Sequence, residues 1–238
     1  MNSLIQWMDR NLYLGVEPRW DDLAFRERIL SSILPHHKVL DLGAGAGIVP
    51  EMNFKGHADK ICGIDLDPRV KNNTLLDEGR IADAECIPYP DSSFDLVFAD
   101  NVMEHLERPV VVFKEIHRVL RPGGKLLFKT PNACHYMPVI ARLTPHSFHR
   151  FINRLRGRKS VDTFPTRYRS NTRSDIKRIA DASGFEIEAI EPIEGRPEYM
   201  RIAPPLYLLG FFYERLVNST SLLSGFRVLL IATLRKPD

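Results

Sequence analysis

The sequence predicts an α/β fold: a doubly wound, mostly parallel sheet covered by helices on both faces, with a cap inserted late in the chain. Three observations carry this. Short β-rich runs alternate with helical ones between residues 38 and 129, the pattern of strand–helix–strand units. Three glycines at alternate positions follow the first strand directly. After Pro131 the alternation breaks and resumes only near residue 171. The 238 residues, 44% hydrophobic and 26% charged, suffice for one sizeable core. The expected organisation is a single domain over residues 1–238: a helical region at 1–37, a core at 38–131, a basic cap at 132–170, and helices and strands at 171–238 that complete the sheet.

The elements follow in order. Residues 20–34 read as a helix, with Asp21 and Asp22 placed to cap its start and Pro35 to stop it. Val39-Leu40-Asp41-Leu42 is a buried strand and residues 48–54 a helix. Residues 60–65 form a second strand, 80–82 a short third, and 94–98 a fourth. Residues 109–120 are helical, with Val112, Ile116, Val119 and Leu120 on one side. A Pro122-Gly123-Gly124 turn leads to a fifth strand at 125–129. Residues 132–170 show no clean period. A helix then starts from Asn171 or Thr172 and ends at Gly184, a natural C′ residue. Residues 185–190 are a strand, 206–223 a helix and 227–234 the final strand.

Composition excludes several classes. The longest strongly apolar stretch, residues 206–213, is far short of the roughly 20 residues a bilayer-spanning helix needs. The N-terminus lacks a basic region followed by an apolar run, so a cytoplasmic location is expected. Cys62, Cys86 and Cys134 are too few and too scattered for a disulfide framework or a zinc site. The net charge of +3 hides an asymmetry: residues 136–174 carry nine Lys/Arg and one acid, Asp162. A basic block on an acidic body points to an anionic partner for that block.

The segment Val39-Leu-Asp-Leu-Gly-Ala-Gly-Ala-Gly47 is the most informative. Glycines 43, 45 and 47 permit turn angles and close ligand approach that a side chain would forbid, and a helix after them would present free N–H groups. The spacing is G-x-G-x-G with Ile48 following, a poor match to the dinucleotide fingerprint. Asp41 would repel a pyrophosphate but suits a ligand bearing an ammonium group. Asp65, at the end of the second strand, can accept both hydroxyls of a ribose or cap the segment after Pro68, and Asp67 can serve equally well as that cap. Asp83 can accept from an adenine amino group or be a solvated loop acid. Asp41, Asp65, Asp83 and Asp100 all lie at or just past strand C-termini, where open α/β sheets bind ligands.

Taken together, V-L-D-L-G-A-G-A-G (39–47), G-I-D-L-D (63–67), A-D-A-E-C-I-P-Y-P-D-S-S-F-D-L-V (82–97) and V-L-R-P-G-G-K-L-L-F-K-T-P-N (119–132) resemble the class I S-adenosylmethionine-dependent methyltransferases, especially the small-molecule group related to ubiquinone-biosynthesis methyltransferases. The resemblance implies a Rossmann-like seven-stranded sheet with an antiparallel last strand, and S-adenosylmethionine as cofactor. It places Gly43, Ala44, Gly45 and Gly47 under the methionine portion with Asp41 nearby. Asp65 would hold the ribose and Leu66 flank the adenine. Asp83 would take the adenine amino group with Ala84 beside it, and Asp100 and Asn101 would border the sulfonium.

Transfer to an oxygen calls for alignment and a base of near-neutral pKa. His105, just past the fourth strand, is a candidate; it can equally pack under the cofactor or cap a helix. His135, His146 and His149 are others. Some ubiquinone-pathway relatives carry a metal at this loop, but Asn101 stands where the first acid would fall, so no metal is expected. The resemblance assigns acceptor recognition to residues 132–170, where His135, Arg154 and Arg158 are the substrate-binding candidates. A small-molecule, glycan or lipid-linked acceptor is expected, with transfer to nitrogen or carbon less expected than to oxygen. No specific nucleic acid is expected. The apolar stretch 202–216 beside a basic block is compatible with peripheral contact with an anionic membrane; the plainer expectation is that Leu206, Leu209 and Tyr213 pack as a core helix. Two alternatives stay open: a non-catalytic cofactor-binding scaffold on membrane or RNA, and a nicotinamide-dependent oxidoreductase.

Overall fold

The computed structural model describes residues 3–17, 19–143 and 165–238. They pack into two compact units. The larger holds residues 21–131, 166–191 and 230–238; the smaller draws on 1–20, 132–165 and 192–229.

The larger unit is built on the sheet. Its strands are β1 (Lys38–Leu42), β2 (Lys60–Asp65), β3 (Glu78–Ile81), β4 (Phe94–Asp100), β5 (Leu120–Pro131), β6 (Glu186–Ile193) and β7 (Leu229–Arg235). The order is β3-β2-β1-β4-β5-β7-β6. β1 pairs in parallel with β2 and β4, β2 with β3, and β4 with β5. Gly123 N–H donates to the Lys236 carbonyl at 3.0 Å and Lys236 N–H donates to Gly124 at 2.8 Å, the reciprocal exchange that marks an antiparallel pair. The expected seven-stranded, mostly parallel sheet with an antiparallel last strand is therefore what the chain forms. Winding runs outward in both directions from the junction of β1 and β4, so a crevice opens at their C-terminal tips.

β1 is buried at Val39, Leu40, Asp41 and Leu42, as a central strand covered on both faces must be. Helix α3 (Pro109–Val119) buries Val112, Phe113, Ile116 and Val119 at helical spacing. The later helix at Arg173–Ser183 packs beside it through Ile176 and Ile179. That helix is bounded as the sequence indicates: Thr172 Oγ1 accepts from Asp175 N–H at 3.0 Å, and Gly184 closes the C-terminus at φ +82°.

Several expected elements differ. Helix α2 spans Trp20–Leu30 rather than 20–34; the Ser31 and Ser32 hydroxyls both donate to the Arg28 carbonyl, at 2.7 and 3.2 Å, competing with the helix ladder. Residues 48–54 contain only a 3₁₀ turn, Pro50–Met52. Pro50 holds Val49 extended (φ −106°, ψ 96°), because a residue before proline is driven out of the α region. The third strand is Glu78–Ile81, not 80–82. Pro122-Gly123-Gly124 is a bulge inside a longer β5 rather than a turn before it: register shifts between Phe94 and Leu96, and Gly123 takes φ +72°.

The smaller unit contains helix α1 (Ser3–Leu12), α4 (Tyr136–Leu143) and α6 (Pro204–Asn218), the Arg173–Ser183 helix of the larger unit being α5. The region expected to lack a period thus begins with a helix; residues 144–164, including His146, His149, Arg154 and Arg158, lie outside the described residues. Ile5, Met8, Tyr13 and Tyr207 form this unit's core, with the Tyr13 and Tyr207 rings stacked at 5.9 Å. α6 buries Tyr207, Gly210, Glu214 and Val217. Leu206 and Leu209, expected in the core, are instead 40% and 58% exposed, because the buried stripe runs through Tyr207, Gly210, Glu214 and Val217 and leaves both leucines to its side.

Candidate functional site

Three of the four expected carboxylates gather where the tips of β2, β1 and β4 adjoin, around the glycine loop. Gly43, Gly45 and Gly47 take φ of +81°, +51° and +69°, a region L side chains rarely enter. Gly43 and Ala44 N–H groups donate to the Ile64 carbonyl at 2.8 and 3.2 Å. Asp65 ties the loop down: its Oδ2 accepts from Gly45 N–H at 2.8 Å and its Oδ1 from Asp67 N–H at 2.7 Å. Asp67, not Asp65, caps the following 3₁₀ turn, accepting from Arg69 N–H. Each Asp65 oxygen keeps a lone pair beyond these bonds.

Sequence reasoning missed Asn73, which is buried. Its Nδ2 donates to the Ala44 carbonyl at 2.9 Å and its Oδ1 accepts from Leu75 N–H at 2.9 Å. A Cβ on Gly47 would meet Asn73 Oδ1 at 2.2 Å. Gly47→Ala should therefore cost about 1–3 kcal/mol of stability through backbone strain and weaken ligand binding at the loop. Thermal melting and calorimetry check both; a variant matching the wild type in each would remove Gly47 from the site.

Asp41 is buried, and that burial, reinforced by the Asp100 and Asp65 charges, pushes its carboxyl well above the usual carboxylate range. Asp100 ends β4. Burial raises it to about 6, Lys129 opposes that shift, and Asp22 and Asp21 add to it. Asn101 follows at φ +53°, a left-handed conformation asparagine tolerates; its Nδ2 donates to Asp100 Oδ1 at 2.9 Å. Asp83 is exposed, with Oδ1 accepting from Glu85 N–H at 2.9 Å, and Ala84 beside it is half-buried. Leu66 and Ile48 are 63% and 67% exposed, leaving apolar surface available to a planar ring.

Lys129, near the end of β5, is a second residue the sequence reading missed. Its ammonium contacts Asp21, Asp22 and Asp100. Asp21 and Asp22, expected as helix caps, thus serve a cation more than a hundred positions away.

His105 ends a 3₁₀ turn, Met103–His105, just past β4. Its side chain is 30% exposed, with Nε2 3.9 Å from Oε1 of buried Glu104. Burial raises the Glu104 carboxyl; Thr130 Oγ1 donates to its Oε2 at 3.2 Å, and Asn171 Nδ2 donates to Thr130 Oγ1 at 2.7 Å. In the smaller unit His135 is buried against the Tyr136 and Tyr213 rings, with Nε2 3.7 Å from Glu194 Oε2.

A glycine loop and carboxylates from successive strand tips thus meet at the switch point, where open α/β sheets bind ligands. That fold is the one shared by the class I S-adenosylmethionine-dependent methyltransferases. Residues 40–128 match a methyltransferase domain family. The ubiquinone/menaquinone biosynthesis C-methyltransferase UbiE of Laribacter hongkongensis is 37% identical over 107 residues, covering 41% of this chain and 44% of that protein. The ubiquinone biosynthesis O-methyltransferase of Idiomarina loihiensis is 34% identical over 104 residues, covering 40% and 42%. The crystal structure of an S-adenosylmethionine-dependent methyltransferase from Mesorhizobium loti has the same fold, with a TM-score of 0.57 at 20% identity over 95% of this chain and 100% of that one. The chain carries a methyltransferase domain of this class, related to the ubiquinone-biosynthesis methyltransferases, and S-adenosylmethionine is the cofactor of that class. It spans about half or less of the length of the curated relatives it matches. Among the described residues no helix is long and apolar enough to cross a membrane.

The residues fit this cofactor. Asp65 has acceptor capacity in reserve, Leu66 offers exposed apolar surface, and the acids at the strand tips suit a ligand with a sulfonium and an ammonium group.

Proposed function

We propose that the chain transfers a methyl group from S-adenosylmethionine to an oxygen of a small-molecule, glycan or lipid-linked acceptor. The observation that carries this reading is the acidic crevice at the β1–β4 junction, where Asp41, Asp65 and Asp100 border a glycine loop fixed by Asp65 and Asn73. Bound S-adenosylmethionine supplies a methyl group on a sulfonium whose leaving group is a neutral thioether. The protein's share is to hold donor and acceptor in line and exclude water, and orientation alone can lower a barrier by up to about 7–11 kcal/mol. Gly43, Ala44, Gly45 and Gly47 bring backbone close to the methionine part, with Asp41 nearby. Asp65 accepts from the ribose, Leu66 and Ala84 flank the adenine, Asp83 accepts from its amino group, and Asp100 and Asn101 border the sulfonium. His105 takes the acceptor's proton, with Glu104 beneath it to orient the imidazole. Relatives include both C- and O-methyltransferases; for transfer to oxygen, the half-buried imidazole just past the tip of β4 is the base that takes the hydroxyl proton.

Calorimetry with S-adenosylmethionine and, separately, NAD tests the donor. Saturable binding of the first alone is expected, and NAD binding in its place would overturn the reading. Asp65→Ala should weaken S-adenosylmethionine binding by about 1–3 kcal/mol, the scale of hydrogen bonds to a charged group. Unchanged affinity would remove Asp65 from the ribose site.

A further inference from the structure

Lys129 has no exposed side-chain surface, and its ammonium lies 2.5 Å from Asp22 Oδ1 and 3.1 Å from both Asp21 Oδ2 and Asp100 Oδ1. A buried ammonium must be paired to stay charged, so one carboxylate is required. Three are present, which leaves the cluster two negative charges in surplus when all are ionised. Two of the acids come from the first turn of α2. The third, Asp100, is the tip residue of β4 at the sheet's switch point, with Asp41 on the neighbouring strand. Lys129 acts on the crevice through Asp100.

Resting on the donor reading above, we infer that Lys129 is the counter-charge that sets how strongly the crevice prefers the cationic donor over the neutral thioether product. Methyl transfer removes one positive charge from the ligand and leaves its purine, sugar and amino-acid parts unchanged. The ratio of the two affinities therefore reports the electrostatic potential at the strand tips, whereas contacts common to both ligands cancel. Removing the Lys129 charge makes that potential more negative for as long as Asp100, whose proton Lys129 helps to keep off, stays ionised. Neutralising Asp22 makes it less negative. Across a desolvated path each change is felt more strongly than in water. With Lys129 in place the surplus is held at two, enough to draw the donor without trapping a cation, and fresh donor and spent product exchange accordingly.

The test is calorimetric titration of S-adenosylmethionine and S-adenosylhomocysteine into wild type, Lys129→Met and Asp22→Asn at pH 8. The product-to-donor Kd ratio should rise by about tenfold in Lys129→Met and fall by about tenfold in Asp22→Asn, the scale of one partly desolvated unit charge. A purely structural role loosens both ligands together and leaves the ratio flat. Asp22→Asn keeps Lys129 paired with Asp21 and Asp100, so it decides the matter if Lys129→Met does not fold. A ratio within about twofold of wild type in Asp22→Asn, or a shift of the same sign in both variants, overturns the inference. A wild type that binds neither ligand overturns the donor reading itself, which is a separate outcome.

Discussion

Replacing His105 with alanine should slow methyl transfer by about 10²–10⁴-fold, the usual worth of a positioned general base, while the Kd for S-adenosylmethionine stays within about twofold. The expectation rests on how firmly the turn carrying His105 is held. Ser170 Oγ donates to the Met103 carbonyl at 2.7 Å, and the Arg167 and Tyr168 N–H groups both donate to the Glu104 carbonyl, at 2.6 and 3.1 Å. Beneath it Glu104, Thr130 and Asn171 form a buried hydrogen-bonded chain. An imidazole on such a support needs little reorganisation to meet an acceptor. Radiolabelled donor and a metabolite extract of cells that make the protein give the rate; calorimetry gives the affinity. A rate within a few-fold of wild type would return His105 to a structural role, packing under the cofactor. A parallel collapse of donor affinity would do the same.

The parts of this site that local chemistry dictates are visible in the sequence. Gly43, Gly45 and Gly47 stand where positive φ is needed, Asp65 and Asp100 end their strands, and Thr172 and Gly184 bound a helix at the expected residues. What cannot be read there depends on partners distant in the chain. Lys129 looks like an ordinary outward strand residue until its strand is seen inside the sheet, where it needs Asp21 and Asp22, 108 and 107 positions away. Those two acids also satisfy every local criterion for helix capping. Asn73 carries no pattern at all, since its value lies in reaching the Ala44 carbonyl from another loop. The missing helix after the glycines is a different matter: Pro50 is itself a local signal against a helix over residues 48–54. Its absence shifts the burden of loop anchoring from helix N–H groups to Asp65 and Asn73.

Glu194→Gln should make the protein more stable than wild type at pH 8, by an amount that vanishes in acid. The Glu194 side chain is 4% exposed, its Oε2 accepts from Val228 N–H at 2.9 Å, and buried Glu214 carries a like charge in the same unit. Burial, with Glu214 adding to it, pushes the Glu194 carboxyl up to about 8. His135 gives no cationic relief: burial drives it down to about 3. Met137 N–H donates to His135 Nδ1 at 3.3 Å, which places the neutral ring's proton on Nε2, the nitrogen facing Glu194. The folded carboxyl thus holds its proton to higher pH than the unfolded one. Its contribution to stability is complete below about pH 4.5, declines as pH rises, and is lost once pH passes about 8. A glutamine mimics the protonated form at every pH. The advantage of Glu194→Gln should therefore grow across that window to a few kcal/mol, or about 5–10 °C in Tm for a chain of this size, and stay level above it. The His135 titration is common to both proteins and cancels in the difference. Melting curves that run parallel from pH 5 to 9 would show that Glu194 is ionised in the folded protein, and that Arg227, rather than a retained proton, balances its charge.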